Sequence, residues 1–495
     1  MTADDRSSIR TAQARLPLLR VLAASLALSL ATAASAFAED QAQPGVPATA
    51  GGPSLGPEQK SAGASQPAWA GDLSTRANLL GDIGGLRPAL DRYGVSFGLT
   101  ETTEVLGNPT GGTRRGAIIE GMTQMSLGAD LSKSIGLDGA IFNISAFQIH
   151  GRGLSSRNLG NLNIVSSIEA DPATRLNELW LQQSFWGGKL DIKIGQQSAD
   201  LEFITSEYED LFINSGFGWP TLPASDLPSG GPAYPLATPG IRVRAQPTDE
   251  ITALVGLYSG SPAGLRPGDP QKNDSSGTNF DVSSGAFVIG EVQYGLNKQK
   301  DATGLPGTYK LGAWYNSNRF ADAFYQNGTT AQAPGVLTGL PGSKRGDWSI
   351  YGTLDQLVYR PSKDSDGGLG LTARAMGAPD DRNVVDLFVQ GGVTYKGAFG
   401  RANDTMGIGV EWARIGARAQ AGDGAAALAS GTASPIRSSE TVIEATYQAQ
   451  IEPWWIVQPD FQYVFNPGGG LPDPDHPNRR VGDAAVLGIR SVVTF

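Results

Sequence analysis

The sequence predicts an all-β fold, a transmembrane antiparallel β-barrel of about 16 strands with a short N-terminal helix. Three observations carry that prediction. Residues 440–495 alternate in polarity: Ile443, Ala445, Tyr447, Ala449 and Ile451 share one parity, and Glu440, Glu444, Thr446, Gln448 and Gln450 share the other. The candidate strands run about ten residues, the length a tilted strand needs to cross a bilayer. The last strand stops on an aromatic, Phe495, and a terminal amphipathic strand leaves an open edge unless the sheet closes on itself.

Composition narrows the function classes. The chain has 495 residues, 40% hydrophobic, with 66 Gly, 31 Pro and no Cys. Disulfides, Cys-ligated zinc and a Cys nucleophile are therefore excluded. His150 and His476 are the two histidines, too few for a His-rich metal site, and no cofactor is expected. A net charge of −10 without a basic stripe argues against a nucleic-acid partner.

Residues 1–38 read as a secretory signal. Arg6, Arg10, Arg15 and Arg20 precede an uncharged run from Val21 to Leu30, followed by the small-x-small site Ala36-Phe37-Ala38. Residues 39–70, rich in Pro, Gly, Ala and Ser, lack the apolar bulk for a core and read as a flexible linker. Within residues 71–94, Leu86, Ala89, Leu90 and Tyr93 have helical spacing. Pro88 suits a first turn and Gly94 a helix end. The Gly84-Gly85 pair lacks the strand and the remaining glycines of a phosphate-binding fingerprint.

The barrel is expected over 95–495. Its strands are placed at 95–105, 116–131, 138–150, 174–186, 189–197, 239–246, 250–259, 285–296, 307–318, 348–360, 368–378, 383–397, 403–415, 439–452, 454–466 and 482–495. Tight turns such as 186–189 and 246–249 alternate with long polar loops at 198–238, 260–284, 319–347 and 416–438, the pattern of an outer-membrane barrel. Strands 95–105, 348–360 and 403–415 show no clean facing. A soluble sandwich would share the alternation with the apolar parity inward. The signal, the strand lengths and the aromatic end favour the membrane.

The segments LLGDIGGLRPAL, NELWLQQSFWGGKLDIKIGQQSAD, TPGIRVRAQPT, ETVIEATYQAQIEPWWIVQPDFQYVFNPGG and VLGIRSVVTF resemble the carbohydrate-selective porin (OprB) family, from about Leu79 to Phe495. That resemblance implies a sixteen-stranded outer-membrane barrel that passes small sugars such as glucose, in contact with outer-membrane lipid, as a monomer or a homotrimer. The linker 39–70 and the loop 416–438 depart from the family in length.

Sugars offer hydroxyls and apolar C–H faces, so a site for them needs forked donors, carboxylates and aromatic platforms. By parity, Arg242, Arg244, Arg374 and Arg490 point inward, with Glu178, Glu440 and Glu444 as candidate opposites. Glu411 is added despite its unclear strand, and Trp180 shares the parity of Glu178. The expectation is a constriction of both charge signs, narrowed by the aromatic loop 198–238 with Phe203, Tyr208, Phe212, Phe217 and Trp219. Against a sugar site stands plain solvation of a polar lumen wall. Trp186, Trp454 and Trp455 read as interfacial girdle residues. An enzyme would need a base-and-orienter constellation, which the two histidines do not supply. An adhesin or secretion barrel would need a large passenger domain. A general or anion-selective porin is the nearest rival.

Overall fold

The computed structural model describes residues 72–299, 302–326, 342–362 and 365–495. The expected signal at 1–38 and linker at 39–70 lie outside the described residues. Sixteen strands follow in order: β1 (Val95–Gly112), β2 (Gly116–Asp130), β3 (Ala140–Gly151), β4 (Ala173–Phe185), β5 (Leu190–Gln197), β6 (Thr238–Ala245), β7 (Ile251–Ser259) and β8 (Ala286–Leu296). The second half comprises β9 (Gly307–Phe320), β10 (Lys344–Tyr359), β11 (Gly368–Gly377), β12 (Val385–Lys396), β13 (Thr405–Ile415), β14 (Ser439–Glu452), β15 (Trp455–Phe465) and β16 (Gly482–Thr494). Each pairs antiparallel with its chain neighbours, and β1 pairs with β16, so the barrel is closed. Closure removes both sheet edges.

The alternation read from sequence is the alternation of the wall. Leu311, Ile119, Ile350, Ile408, Leu487 and Val255 face outward and are exposed, while Arg242, Arg374, Glu440, Glu444 and Gln462 on the opposite parities are buried inside. An apolar exterior around a polar interior is the arrangement a bilayer demands.

Of the three strands without a clean facing, β10 and β13 owe their ambiguity to apolar or side-chain-less inward positions, and β1 to the polar Glu101 and Thr103 on the outward parity of Val105. Tyr351 and Asp355 of β10 face inward beside outward Ile350 and Leu354. In β13 the inward positions include Gly407, Gly409 and Ala413, against outward Met406, Ile408 and Val410. β1 runs on past Val105 to Gly112.

The expected N-terminal helix spans Leu86–Asp91. The Arg87 guanidinium donates to the carbonyls of Phe97, at 2.7 Å, and Phe495, and so fastens the helix across the β1–β16 seam. The stretch 416–438 differs from the polar loop expected there: Ala417–Ser430 is a helix. Its alanine-rich sequence is a strong helix former, and Gly431, at φ 63°, ends it. Arg418 holds Asp322 through two 2.8 Å hydrogen bonds.

Antiparallel order puts the connections 152–172, 198–237, 260–285, 416–438 and 466–481 at one end of the barrel. The tight connections at 186–189, 246–250 and 453–454 lie at the other, with the first residue of β1 and the last of β16.

Candidate functional site

The loop 198–237 enters the barrel. Phe203, Ile204, Phe217, Leu222 and Leu227 are fully or almost fully buried, and Phe212 stacks on Phe217 with ring centres 4.2 Å apart. An apolar loop inside a polar lumen requires partners for its backbone. Inward wall carboxylates supply many of them. Glu444 accepts the N–H groups of Ile213 and Asn214 at 2.6 and 3.0 Å. Asp355 accepts from Ser206 Oγ at 2.5 Å and Glu207 N at 3.0 Å, and Glu291 accepts from Ile204 N at 2.9 Å. On the same strand as Glu444, β14, Glu440 accepts from Leu162, Asn163 and Gly468 N–H at 2.7–2.8 Å, which ties in the second inward loop, 152–172.

The arginines complete the anchoring. Arg374 forms an ion pair with Glu209 at 2.5 Å and donates to the carbonyls of Ile204, Phe217 and Gly218. Arg242 is buried between Asp191 and Glu202 and reaches Gln182 at 2.9 Å. Arg244 donates to Asp191 at 2.6 Å. Arg490 bridges Glu104, at 2.5 Å, and Ser167 of loop 152–172, at 3.0 Å. Glu202 also pairs with Lys193, whose ammonium sits 4.3 Å from the centre of the Trp180 ring. Burial opposes the Glu202 charge, but Lys193 and Arg242 outweigh it and hold the carboxyl below its usual range.

All nine residues proposed from sequence thus project inward, but their partners differ from those expected. Glu178 and Glu444 do not pair with the arginines, and neither does Glu440. Glu178 meets Ser198 N at 3.4 Å and Asn143 at 3.5 Å. Neither carboxylate oxygen of Glu411 meets a donor among the described residues, and the side chain abuts Gly216 of the inward loop. The opposing acids are Asp191, Glu202, Glu209 and Glu104. Asp191 was legible, since the alternation Asp191-Ile192-Lys193-Ile194 puts it on an inward parity. Glu202 and Glu209 come from the loop, where no periodicity assigns a direction.

Beneath the loop, towards the tight-turn end, lies a cavity of about 520 Å³. Tyr208, Glu207 and Leu211 of the loop line it, with Arg360, Asp366, Thr394, Lys396 and Thr405 from the wall and turns. It joins an aromatic face to donors and acceptors of both charges. Among the described residues no group of three or more His, Asp or Glu is placed to hold a metal.

A closed sixteen-stranded barrel with an apolar exterior, a polar interior and an infolded loop defines an outer-membrane diffusion porin. The chain belongs to the carbohydrate-selective porin, OprB family, whose sequence pattern matches residues 114–495. It is 28% identical over 443 residues to Porin B of Pseudomonas aeruginosa, covering 84% of this chain and 91% of that protein. Its fold is similar to the high-pH structure of Pseudomonas putida OprB, with TM-score 0.72 and 25% identity over 85% of this chain and 99% of that one. The low-pH structure of the same porin superposes with TM-score 0.51 at 19% identity, again over 85% of this chain and 99% of that one.

Proposed function

We propose that this chain is exported through its N-terminal segment and conducts small sugars such as glucose passively across the outer membrane, with no reaction catalysed. The observation that carries the reading is the infolded loop 198–237. It is fixed to the wall by Arg242, Arg374, Asp355 and Glu444, and it leaves the charged, aromatic-lined cavity of about 520 Å³ beneath it. That volume lies in the range of small-ligand sites. In that cavity Tyr208 supplies a face for sugar C–H groups, and Arg360, Asp366 and Lys396 supply hydrogen-bonding partners for hydroxyls, while Trp180 stands on the wall outside it with Lys193 against its ring. Arg244 and Arg490, less buried than Arg242 and Arg374, add donors along the wall.

Single-channel conductance in a planar bilayer tests this, with glucose, maltose and a neutral non-sugar of similar size added in turn. Saturable block by the sugars alone is the expected result. A channel indifferent to them would be a general diffusion porin, and selective block by anions would favour the anion-selective rival.

A further inference from the structure

Towards the long-loop end of the barrel, the outward face of β16, β1 and β2 is apolar. The register lines up Ile489, Val105 and Ile119 across the three strands, with Leu487 beside Gly107 two residues nearer the rim. All four large side chains are exposed, Ile119 most of all at 62%. Arginines begin where this surface ends. The Arg152 N–H donates to the Ile119 carbonyl at 3.2 Å, which carries the Glu120–Gly151 pairing on by one residue and sets Arg152 opposite Ile119. Arg115 precedes Ile119 by four residues and shares its parity. At about 3.3 Å per residue it stands about 13 Å further along the strand.

Arg114 and Arg157 extend this basic group. Arg114 N and Thr113 Oγ1 donate to the Asn158 carbonyl at 3.1 and 3.0 Å, and Arg114 Nε reaches Asn158 Oδ1 at 3.3 Å. The β1–β2 turn is thereby tied to the residue next to Arg157. All four arginines are exposed. Among the described residues none of them forms an ion pair, whereas Lys272, Lys344, Arg382, Arg418 and Arg437 at the same end each pair with an aspartate. The exposed Asp483 at the start of β16 accepts from Asn466 N at 2.8 Å. Glu101, on the outward face below Val105, accepts from Thr123 and Thr103. Four uncompensated guanidinium groups above an exposed apolar surface match an amphiphile with an anionic head.

We infer that this face seats a phosphorylated glycolipid of the outer leaflet, with its acyl chains on Ile489, Val105, Ile119 and Leu487 and its phosphates against Arg115 and Arg152. Long loops mark the extracellular end of an outer-membrane barrel, which puts these arginines at the level of the outer headgroups. A guanidinium fork takes two phosphate oxygens at once, and two forks spaced along the wall suit a headgroup that carries more than one phosphate. The stem of Arg152 covers apolar surface beside Ile119 while its charge reaches up to the polar layer. Arg114 and Arg157 add attraction from the loop side. The inference needs the barrel to lie in the outer membrane and is independent of the solute it conducts.

The test titrates the full porin in mild detergent with bis-phosphorylated lipid A and, separately, with the same lipid stripped of its phosphates. Native mass spectrometry reads the bound lipid. The parent is compared with R115A/R152A and with R92A/K189A, which removes two exposed charges at the tight-turn end. Heat-modifiable gel mobility verifies folding of each. The parent is expected to retain the phosphorylated lipid. Stripping the phosphates and the R115A/R152A change are each expected to weaken retention about tenfold or more, as the loss of charge-assisted hydrogen bonds implies. R92A/K189A is expected to match the parent, and millimolar inorganic phosphate to leave the lipid bound. A parent without lipid, equal retention of the two lipids, equal retention by parent and R115A/R152A, equal weakening by R92A/K189A, or displacement by inorganic phosphate would each overturn the inference. Should R115A/R152A fail to fold, the comparison of the two lipids on the parent decides.

Discussion

At the scale of single residues, the interior charges act first as anchors. Arg374 is completely buried and contacts Glu209 and three loop carbonyls. Replacing it with alanine strands Glu209 and those carbonyls, and breaking a buried pair of this kind costs about 3–5 kcal/mol. R374A is expected to lower the thermal transition measured by heat-modifiable gel mobility and to raise single-channel conductance as the loop loosens. Unchanged values of both would show that the ion pair does not hold the loop. Asp200 behaves differently. Its Oδ2 accepts from Tyr234 N at 2.9 Å, while its buried Oδ1 has no partner among the described residues. Burial lifts this carboxyl to about 6 against the pull of the Tyr234 N–H, with Glu178 adding to the rise. The ordinary value is about 3.9, so between about pH 4 and 6 the folded chain holds a proton that the unfolded chain has released. Stability from this group therefore falls as pH rises through that window. D200N removes the titration and is expected to be more stable than the parent at pH 7, with the difference shrinking below about pH 4 in thermal melts. A gap that widened on acidification would reverse the assignment.

At the scale of elements, loop 198–237 and the wall are fitted through positions that lack side chains. A Cβ at Gly409 would come within 2.4 Å of the Phe217 ring, and one at Gly407 within 2.7 Å of Leu211. Gly370 stands in the same relation to Tyr208. These glycines let aromatic loop residues approach the strands closely, and they also obscured the facing of β13 in the sequence. A strand whose inward positions are mostly Gly, Ala and Ile, with Glu411 the exception, carries little polar parity to read. The loop's aromatic content did signal packing, and its entry into the barrel was legible to that extent. Its route was not, because side chains of an irregular segment have no period to fix their direction. Gly409→Ala is expected to displace Phe217 and shift conductance and thermal stability together. Gly290→Ala on β8, where the nearest atom to a new Cβ is 3.8 Å away, serves as the matched control. Equal effects at the two sites would mean that the Gly409 contact is not what seats the loop.

At the scale of the molecule, the barrel was the legible part because three independent constraints agree in the sequence. Period-two polarity, strand lengths set by the bilayer and the alternation of tight turns with long loops each select the same closed sheet. The interior was less legible because two layers share one set of charges. Parity shows that Glu440 and Glu444 face inward but does not reveal that backbone N–H groups of infolded loops already occupy them. The barrel wall is hydrogen-bonded strand to strand around its full circuit, and an inner lining is attached to it by carboxylates and arginines. Removing both Glu440 and Glu444 leaves the N–H groups of Leu162, Asn163, Ile213, Asn214 and Gly468 without these acceptors, at about 1–3 kcal/mol for each group that stays dry. None of the wall's strand pairing depends on those side chains. The double variant E440A/E444A is therefore expected to keep its β-sheet circular dichroism and its insertion into bilayers, while conductance rises and sugar block loses its saturation. If the variant fails to form a barrel, lining and wall fold as one unit. If it retains saturable block, the sugar contacts do not depend on the loop anchors at Glu440 and Glu444.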